Sequence, residues 1–278
     1  MTIDPRYLNE LIARALAEDV GTGDITTQST VPYDTVISGR FIAKSAGILC
    51  GTDAAKAVFA YVDASVVPEF FFRDGDAVQK GEVIGTVSGR AVSVLTAERL
   101  ALNLMQRLSG IATRTRQAAD EVAGYPVRII DTRKTTPGLR VLEKYAVRAG
   151  GGYNHRITLA DGVLIKDNHI KAAGGITPAV KAARENAPHT LKIEVEVENL
   201  SMVQEALDAG ADIIMLDNMS YELMAQAVEL IAGRALVEAS GNMDEKNLRE
   251  VAATGVGFIS IGALTHTVKP MDISLRFE

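Results

Sequence analysis

The sequence predicts an α/β protein in two parts, a separate α+β domain followed by a domain with a parallel sheet. Three observations carry this expectation. From residue 127 onward, six short runs rich in branched apolar residues recur: VRIID (127–131), VLIK (163–166), LKIEVEV (191–197), DIIML (212–216), ALVEA (235–239) and GFISI (257–261). The segments between them carry helical patterns, and runs that are apolar on both faces while alternating with helices belong to a sheet covered on both sides. Six such units make either a closed β/α barrel or an open doubly wound sheet. Upstream of residue 127 strands and helices mix without this alternation, which sets that part apart as α+β.

Taken in order, Asp4 and Pro5 open a helix running to about residue 17, GTGDITT (21–27) reads as a loop, and residues 35–44 read as a strand. A helix over 52–61 follows, then strands between 66 and 89. There DGDAVQKGEVIG (74–85) has the turns of lipoyl-type domains without a hairpin-tip lysine, and so reads as a plain hairpin. A long helical stretch, 93–123, joins the two parts, with a break expected at Ser109 and Gly110. The domains are therefore placed at 1–110 and 111–278, with residues from about 268 packing back on the N-terminal domain. In the second part Thr177 with Pro178 reads as an N-cap followed by proline at the first helical position, and Gly210 and Gly233 as C-terminal glycines.

At 278 residues, 47% apolar and 23% charged, the composition is that of a globular protein and excludes a collagenous repeat or a disordered chain. A single cysteine, Cys50, makes no internal disulfide and reads as a small apolar residue. The apolar runs fall short of the roughly 20 residues that span a bilayer, and MTIDPRYLNE has no basic-then-apolar signal pattern, so a soluble cytoplasmic protein is expected. The net charge of −6 and the absence of tryptophan give no reason to expect nucleic acid.

Charge is distributed unevenly. Between Arg128 and Lys171 nine Lys or Arg stand against four Asp or Glu, and His155 and His169 fall in the same stretch. Such a run is often a solvated face. Its positions argue otherwise, because ligands of β/α domains bind where the strands end. The first strand delivers Asp131, Thr132, Arg133, Lys134 and Thr135; the second Lys166, Asp167 and Asn168; the third Glu194 and Glu196; the fourth Asp217 and Asn218; the fifth Glu238, Ser240 and Gly241; the sixth Ser260 and Gly262. One strand-end lysine is more often a surface residue. A set is different: two cations about 6 Å apart repel by roughly 3 kcal/mol at an effective dielectric near 20. A cleft gathering Arg133, Lys134, Arg156 and Lys166 therefore calls for a multiply anionic ligand. Arginine forks suit carboxylates or phosphates, and lysine acts as a mobile point charge. Glu196 and Asp217, on neighbouring strands, suit Mg2+ sharing ligand phosphate oxygens, although they also suit plain ion pairs with the nearby bases. The glycines and serines of EASGN and ISIGAL present backbone N–H groups suited to a phosphate.

DTRKTTPGLR (131–140), GGGYNHR (150–156), GVLIKDNHI (162–170), EVEVENL, IMLDNM and EASGN, with ERLALNLMQRLSGIAT (98–113) and ALAEDVGTGDITT before them, resemble the quinolinate phosphoribosyltransferases, decarboxylating nicotinate-nucleotide pyrophosphorylases of the type II phosphoribosyltransferase group. The resemblance covers nearly the whole chain. It implies an N-terminal α+β sandwich, an incomplete α/β barrel, and a homodimer, open to higher assembly, whose active site borrows residues from the partner's N-terminal domain. It implies phosphoribosyl transfer from phosphoribosyl pyrophosphate to quinolinate with loss of CO2, in NAD biosynthesis and with Mg2+. Asn242 stands where the resemblance leads one to expect a glycine in the phosphate loop.

Carried onto this sequence, the resemblance assigns Thr132, Arg133, Lys134, Thr135, His155, Arg156 and Lys166 to the pyridine dicarboxylate and neighbouring phosphates. Glu196 and Asp217 become metal and ribose ligands, and Ser240, Gly241, Ser260 and Gly262 the 5'-phosphate cradle. Lys134, Lys166, Glu196 and Asp217 are the candidate catalytic residues. Arg99, which no charge argument singles out, would reach in from the other subunit. The competing readings are a paralogue acting on another small anion, a Schiff-base aldolase using Lys166, and a non-catalytic phosphate-binding protein.

Overall fold

The computed structural model describes residues 3–277, which fall into two compact units. The first comprises the chain up to Arg116, Thr136–Gly151 and the end from Thr267; the second comprises Gln117–Thr135 and Gly152–His266.

The first unit begins with α1 (Pro5–Val20), capped by Asp4, whose carboxylate accepts the Arg6 N–H at 2.9 Å. GTGDITT is not a plain loop. Asp24 accepts from the Thr27 N–H at 3.0 Å and caps a short helix, α2 (Ile25–Thr30), the usual role of an aspartate at an N-cap. Next come β1 (Val36–Ala43), β2 (Gly47–Ile48), α3 (Thr52–Val62), β3 (Glu69–Phe70), β4 (Ala77–Val78) and β5 (Val83–Arg90). β4 and β5 do not form the expected hairpin: β4 pairs with β2, whereas β5 pairs with β1 and β3, so the turn between them changes sheets. Asp74, ahead of that turn, accepts the N–H groups of Gly51 and Thr52 at 2.9 and 3.0 Å and so caps α3 from outside the helix.

The long helix α4 (Ala91–Glu121) runs without the break expected at Ser109 and Gly110. Ser109 is buried, and its hydroxyl meets the Cys50 N–H at 2.9 Å and the Cys50 carbonyl at 3.1 Å. A Cβ on Gly110 would collide with the backbone of Lys269 and Pro270. The small pair is thus a packing requirement that leaves the helix ladder intact, and it seats the end of the chain.

The second unit is a parallel sheet with helices between its strands: β6 (Arg128–Ile130), then α5 (Arg140–Ala149), which belongs to the first unit, then β7 (Val163–Ile165), α6 (Asp167–Ala173), α7 (Ile176–Asn186), β8 (Ile193–Val197), α8 (Leu200–Asp208), β9 (Ile213–Asp217), α9 (Tyr221–Ile231), β10 (Leu236–Ser240), α10 (Leu248–Ala253), β11 (Phe258–Ser260) and α11 (Ala263–His266). The strand order is β6-β11-β10-β9-β8-β7, a sequential ring left open between β6 and β7, hence an incomplete barrel. On the open edge of β6 the segment at Tyr153 bridges Ile130 in parallel. The last strand, β12 (Ile273–Phe277), pairs antiparallel with β1 in the first unit's sheet, whose order is β12-β1-β5-β3.

Thr177 is not the cap of α7. Gly175 takes that place, and the Thr177 N–H and hydroxyl both donate to Glu205 Oε1 at 3.0 Å, which leaves Pro178 inside the first turn. Gly210 and Gly233 follow α8 and α9 at φ of 82° and 75°, the left-handed conformation that ends helices. None of the described helices is long and apolar enough to cross a membrane.

Candidate active site

Strand periodicity decides which side chains enter the barrel. In β8, Ile193, Val195 and Val197 alternate with Glu194 and Glu196, so both carboxylates lie on one face of the strand. Register extends that face across the sheet: Glu196 lies opposite Met215, Met215 opposite Glu238, and Asp217 opposite Ser240.

The TRK and NHR motifs meet because residues 153–155 run beside β6. Tyr153 donates its N–H to Ile129 at 2.8 Å, and Asp131 returns an N–H to the Tyr153 carbonyl at 3.2 Å. The buried Asp131 carboxylate then accepts Asn154 Nδ2 at 2.6 Å and the His155 N–H at 2.9 Å. This fixes the turn that aims His155 and Arg156 inward. The His155 Nδ1 accepts the Arg156 N–H at 2.7 Å, so in the neutral ring Nε2 carries the proton and donates to Glu194 at 3.0 Å; Glu238 lies 3.7 Å away.

A cavity of about 700 Å3 opens at the C-terminal ends of the strands. Thr132, Arg133, Lys134, His155, Arg156 and Lys166 line one part of it, and Glu196, Asp217, Ser240, Gly241, Ser260 and Gly262 the rest. Of the fourteen residues that the resemblance assigns to the site, thirteen belong to the second unit, and all of those except Thr135 face this cavity. The Thr135 hydroxyl instead turns back on the Arg133 carbonyl at 3.5 Å. Arg99 is exposed on α4 in the first unit and does not line the cavity.

Cation crowding in the cavity adds to the effect of burial on Arg156. Burial first, and then the neighbouring Arg133 charge, hold Arg156 below the ordinary arginine range, with Glu194 and Asp161 opposing. Arg156 Nη1 donates to the Gly162 carbonyl at 2.9 Å. Lys166 forms an ion pair with Glu196 and remains partly exposed, whereas a Schiff-base lysine needs a desolvated amine.

Asn218 and Asn242, at φ of 55° and 50°, adopt the left-handed conformation that asparagine tolerates better than other non-glycine residues. The Asn218 N–H donates to the Ser240 carbonyl at 3.1 Å and its Nδ2 to Asp217 at 2.9 Å, so it ties the ends of β9 and β10 together. Asn242 therefore supplies the backbone conformation for which a glycine was expected. Asp244, Glu245 and His266 also line the cavity, although no periodicity or motif marked them. Deeper, His155, Glu194 and Glu238 place three possible ligand atoms within 4.8 Å of one another.

A barrel that concentrates cations, two strand-end carboxylates and a glycine–serine loop at one mouth is built for transfer chemistry on polyanionic small molecules. Comparison with known proteins narrows the class. The N-terminal and C-terminal domains described as quinolinate phosphoribosyl transferase match residues 24–109 and 111–276. The chain belongs to the quinolinate phosphoribosyltransferase family. It is 47% identical over 268 residues to a probable nicotinate-nucleotide pyrophosphorylase (carboxylating) of Bacillus subtilis, covering 96% of this chain and 92% of that protein. It is 47% identical over 294 residues to the chloroplastic nicotinate-nucleotide pyrophosphorylase of Arabidopsis thaliana, covering 99% of this chain and 84% of that one. The solved nicotinate-nucleotide pyrophosphorylase of Ehrlichia chaffeensis superposes with a TM-score of 0.95 at 41% identity, covering 100% of both chains.

Proposed function

We propose that the protein transfers the phosphoribosyl group of phosphoribosyl pyrophosphate to quinolinate with loss of CO2, giving nicotinate mononucleotide and pyrophosphate for NAD biosynthesis in the cytoplasm. The observation that carries this reading is the convergence of Arg133, Lys134, Arg156 and Lys166 on one cavity that also holds Glu196, Asp217 and the Ser240–Gly241 loop. Arg133 and Arg156, with His155 next to Arg156, receive the two carboxylates of the pyridine ring, and the lysines with Thr132 receive neighbouring phosphates. Ser240, Gly241, Ser260 and Gly262 hold the 5'-phosphate through backbone N–H groups.

Glu196 and Asp217 fit a magnesium ion: both are oxygen donors facing one cavity from adjacent strands, with room for waters and ligand oxygens. Bound there, the ion supplies charge neutralisation for the departing pyrophosphate. The chain's own groups do the positioning. The cations fix the ring so that its nitrogen faces C1 of the ribose, and the carboxylates fix the ribose hydroxyls. Arg99 completes the site of a second copy in a homodimer, which is open to further assembly.

The test is a two-substrate assay with and without magnesium. Nicotinate mononucleotide, CO2 and pyrophosphate in equal amounts are expected; bound substrates without pyrophosphate release would leave a phosphate-binding protein.

A further inference from the structure

A second cavity, of about 390 Å3, lies at the opposite end of the strands, among Arg128, Val163, Lys192, Ile213 and Phe258. Among the described residues, His155, Arg156 and Glu238 line both cavities, and Glu194 lines only the second. Glu238 thus stands between the proposed reaction chamber and a separate opening to water.

The reaction requires a proton. When the C2–carboxylate bond of the alkylated pyridine breaks, its electron pair stays on C2 as CO2 departs, and that pair must take up a proton to give nicotinate mononucleotide. The arginines do not release protons. Lys166 is held by Glu196, and the Lys134 chain and the His266 ring both stand beside Gly262, at the phosphate loop. The His155 Nδ1 is occupied by the Arg156 N–H and its Nε2 is turned to Glu194. Glu238 remains. An ionised Glu238 beside Glu194 would also repel a dicarboxylate substrate, and a neutral carboxyl would not.

We propose that Glu238 is the catalytic acid that protonates the ring carbon bared by decarboxylation, a step that rests on the phosphoribosyl-transfer reading above. The carboxyl proton passes to C2, a C–H bond forms, and the resulting carboxylate regains a proton from water in the second cavity. Burial, reinforced by the Glu194 charge, raises the Glu238 carboxyl well above the usual carboxylate range, which favours the protonated form that can donate.

The test is Glu238→Gln in single-turnover experiments that follow pyrophosphate and nicotinate mononucleotide separately. Product formation slows about 100-fold or more, the scale of general acid catalysis, while pyrophosphate release runs ahead and the dicarboxylate nucleotide accumulates. Product formation at the wild-type rate, or slowing matched by lost quinolinate binding, overturns the assignment. Wild-type protein gives an independent reading whether or not the variant folds: an infrared band of a protonated carboxyl at neutral pH supports the assignment, and its absence overturns it. A wild-type protein that releases no pyrophosphate from the two substrates brings down the functional reading and this step together. Normal product formation by Glu238→Gln brings down this step alone.

Discussion

Asn242 Nδ2 lies 3.4 Å from Asn218 Oδ1, so two residues in left-handed conformation brace each other across the mouth of the barrel. Gly241, next to Asn242 in the chain, has φ of 88°, and a Cβ there would collide with the Asn218 side chain. Gly241→Ala is therefore expected to cost about 1 to 3 kcal/mol in strain and to raise the KM for phosphoribosyl pyrophosphate. Asn242→Gly, which relieves a non-glycine residue of positive φ, should stay within about 1 kcal/mol of wild type. Urea midpoints and substrate titration separate the two effects. A fully active Gly241→Ala protein would remove this loop from the phosphate site.

Asp131 accepts hydrogen bonds from Asn154 and from the His155 backbone inside the barrel. Removing the carboxylate in Asp131→Ala leaves both part-buried donors without this acceptor, at a cost of about 1 to 3 kcal/mol. Loss of stability is expected together with loss of quinolinate affinity, because the turn that aims Arg156 is released. Retained affinity in a destabilised variant would show that the turn holds its shape without Asp131.

The strands were legible because a parallel sheet covered on both sides demands apolar runs, whereas the shared face of Glu194 and Glu196 comes from the alternation within β8. Polar residues at successive strand ends then located the cavity before any geometry was known. Features set by a distant partner were not legible. Ser109 and Gly110 look like a helix break until Cys50 and Lys269 are seen beside them. Thr177 looks like a cap until Glu205 takes its hydroxyl. The Asp131–Asn154 bond joins residues far apart in sequence, and the contact of His155 with Glu194 and Glu238 depends on the curvature of the whole sheet.

The buried Glu238 gives stability a pH dependence of definite sign. Its carboxyl is raised above the ordinary value of 4.5, so the native state keeps a proton that the unfolded chain releases. Stability from this group is complete below about pH 4.5 and falls as pH rises toward the native value, by at most about 1.4 kcal/mol per pH unit. Glu238→Gln should flatten that decline. Urea denaturation at several pH values reads it directly, and curves of equal slope for the two proteins would mean that Glu238 is already ionised in the native state.

Glu196 is paired with Lys166, and Asp217 accepts from Asn218 Nδ2 at 2.9 Å. If both also hold magnesium, Glu196→Gln or Asp217→Asn should raise the magnesium concentration needed for half-maximal activity while quinolinate binding changes little. Activity titrated against magnesium, alongside equilibrium binding of quinolinate, checks both halves. A variant with wild-type magnesium dependence makes that carboxylate an ion-pair partner alone.

Arg99 stands exposed on α4 of the first unit, whereas Lys134 lines the barrel cavity of the second. If Arg99 serves the site of another copy, Arg99→Ala and Lys134→Ala homodimers each lack one component in both sites, and each should be nearly inactive. Mixing the two after dissociation produces heterodimers in which one site carries both lesions and the other neither. With equal random mixing half the dimers are mixed and each has one intact site, so activity should recover to about a quarter of wild type. Subunit exchange is followed independently, by mass spectrometry of isotope-labelled copies. Exchange without recovery would put Arg99 in the same site as its own Lys134, and a single chain would then supply the whole constellation.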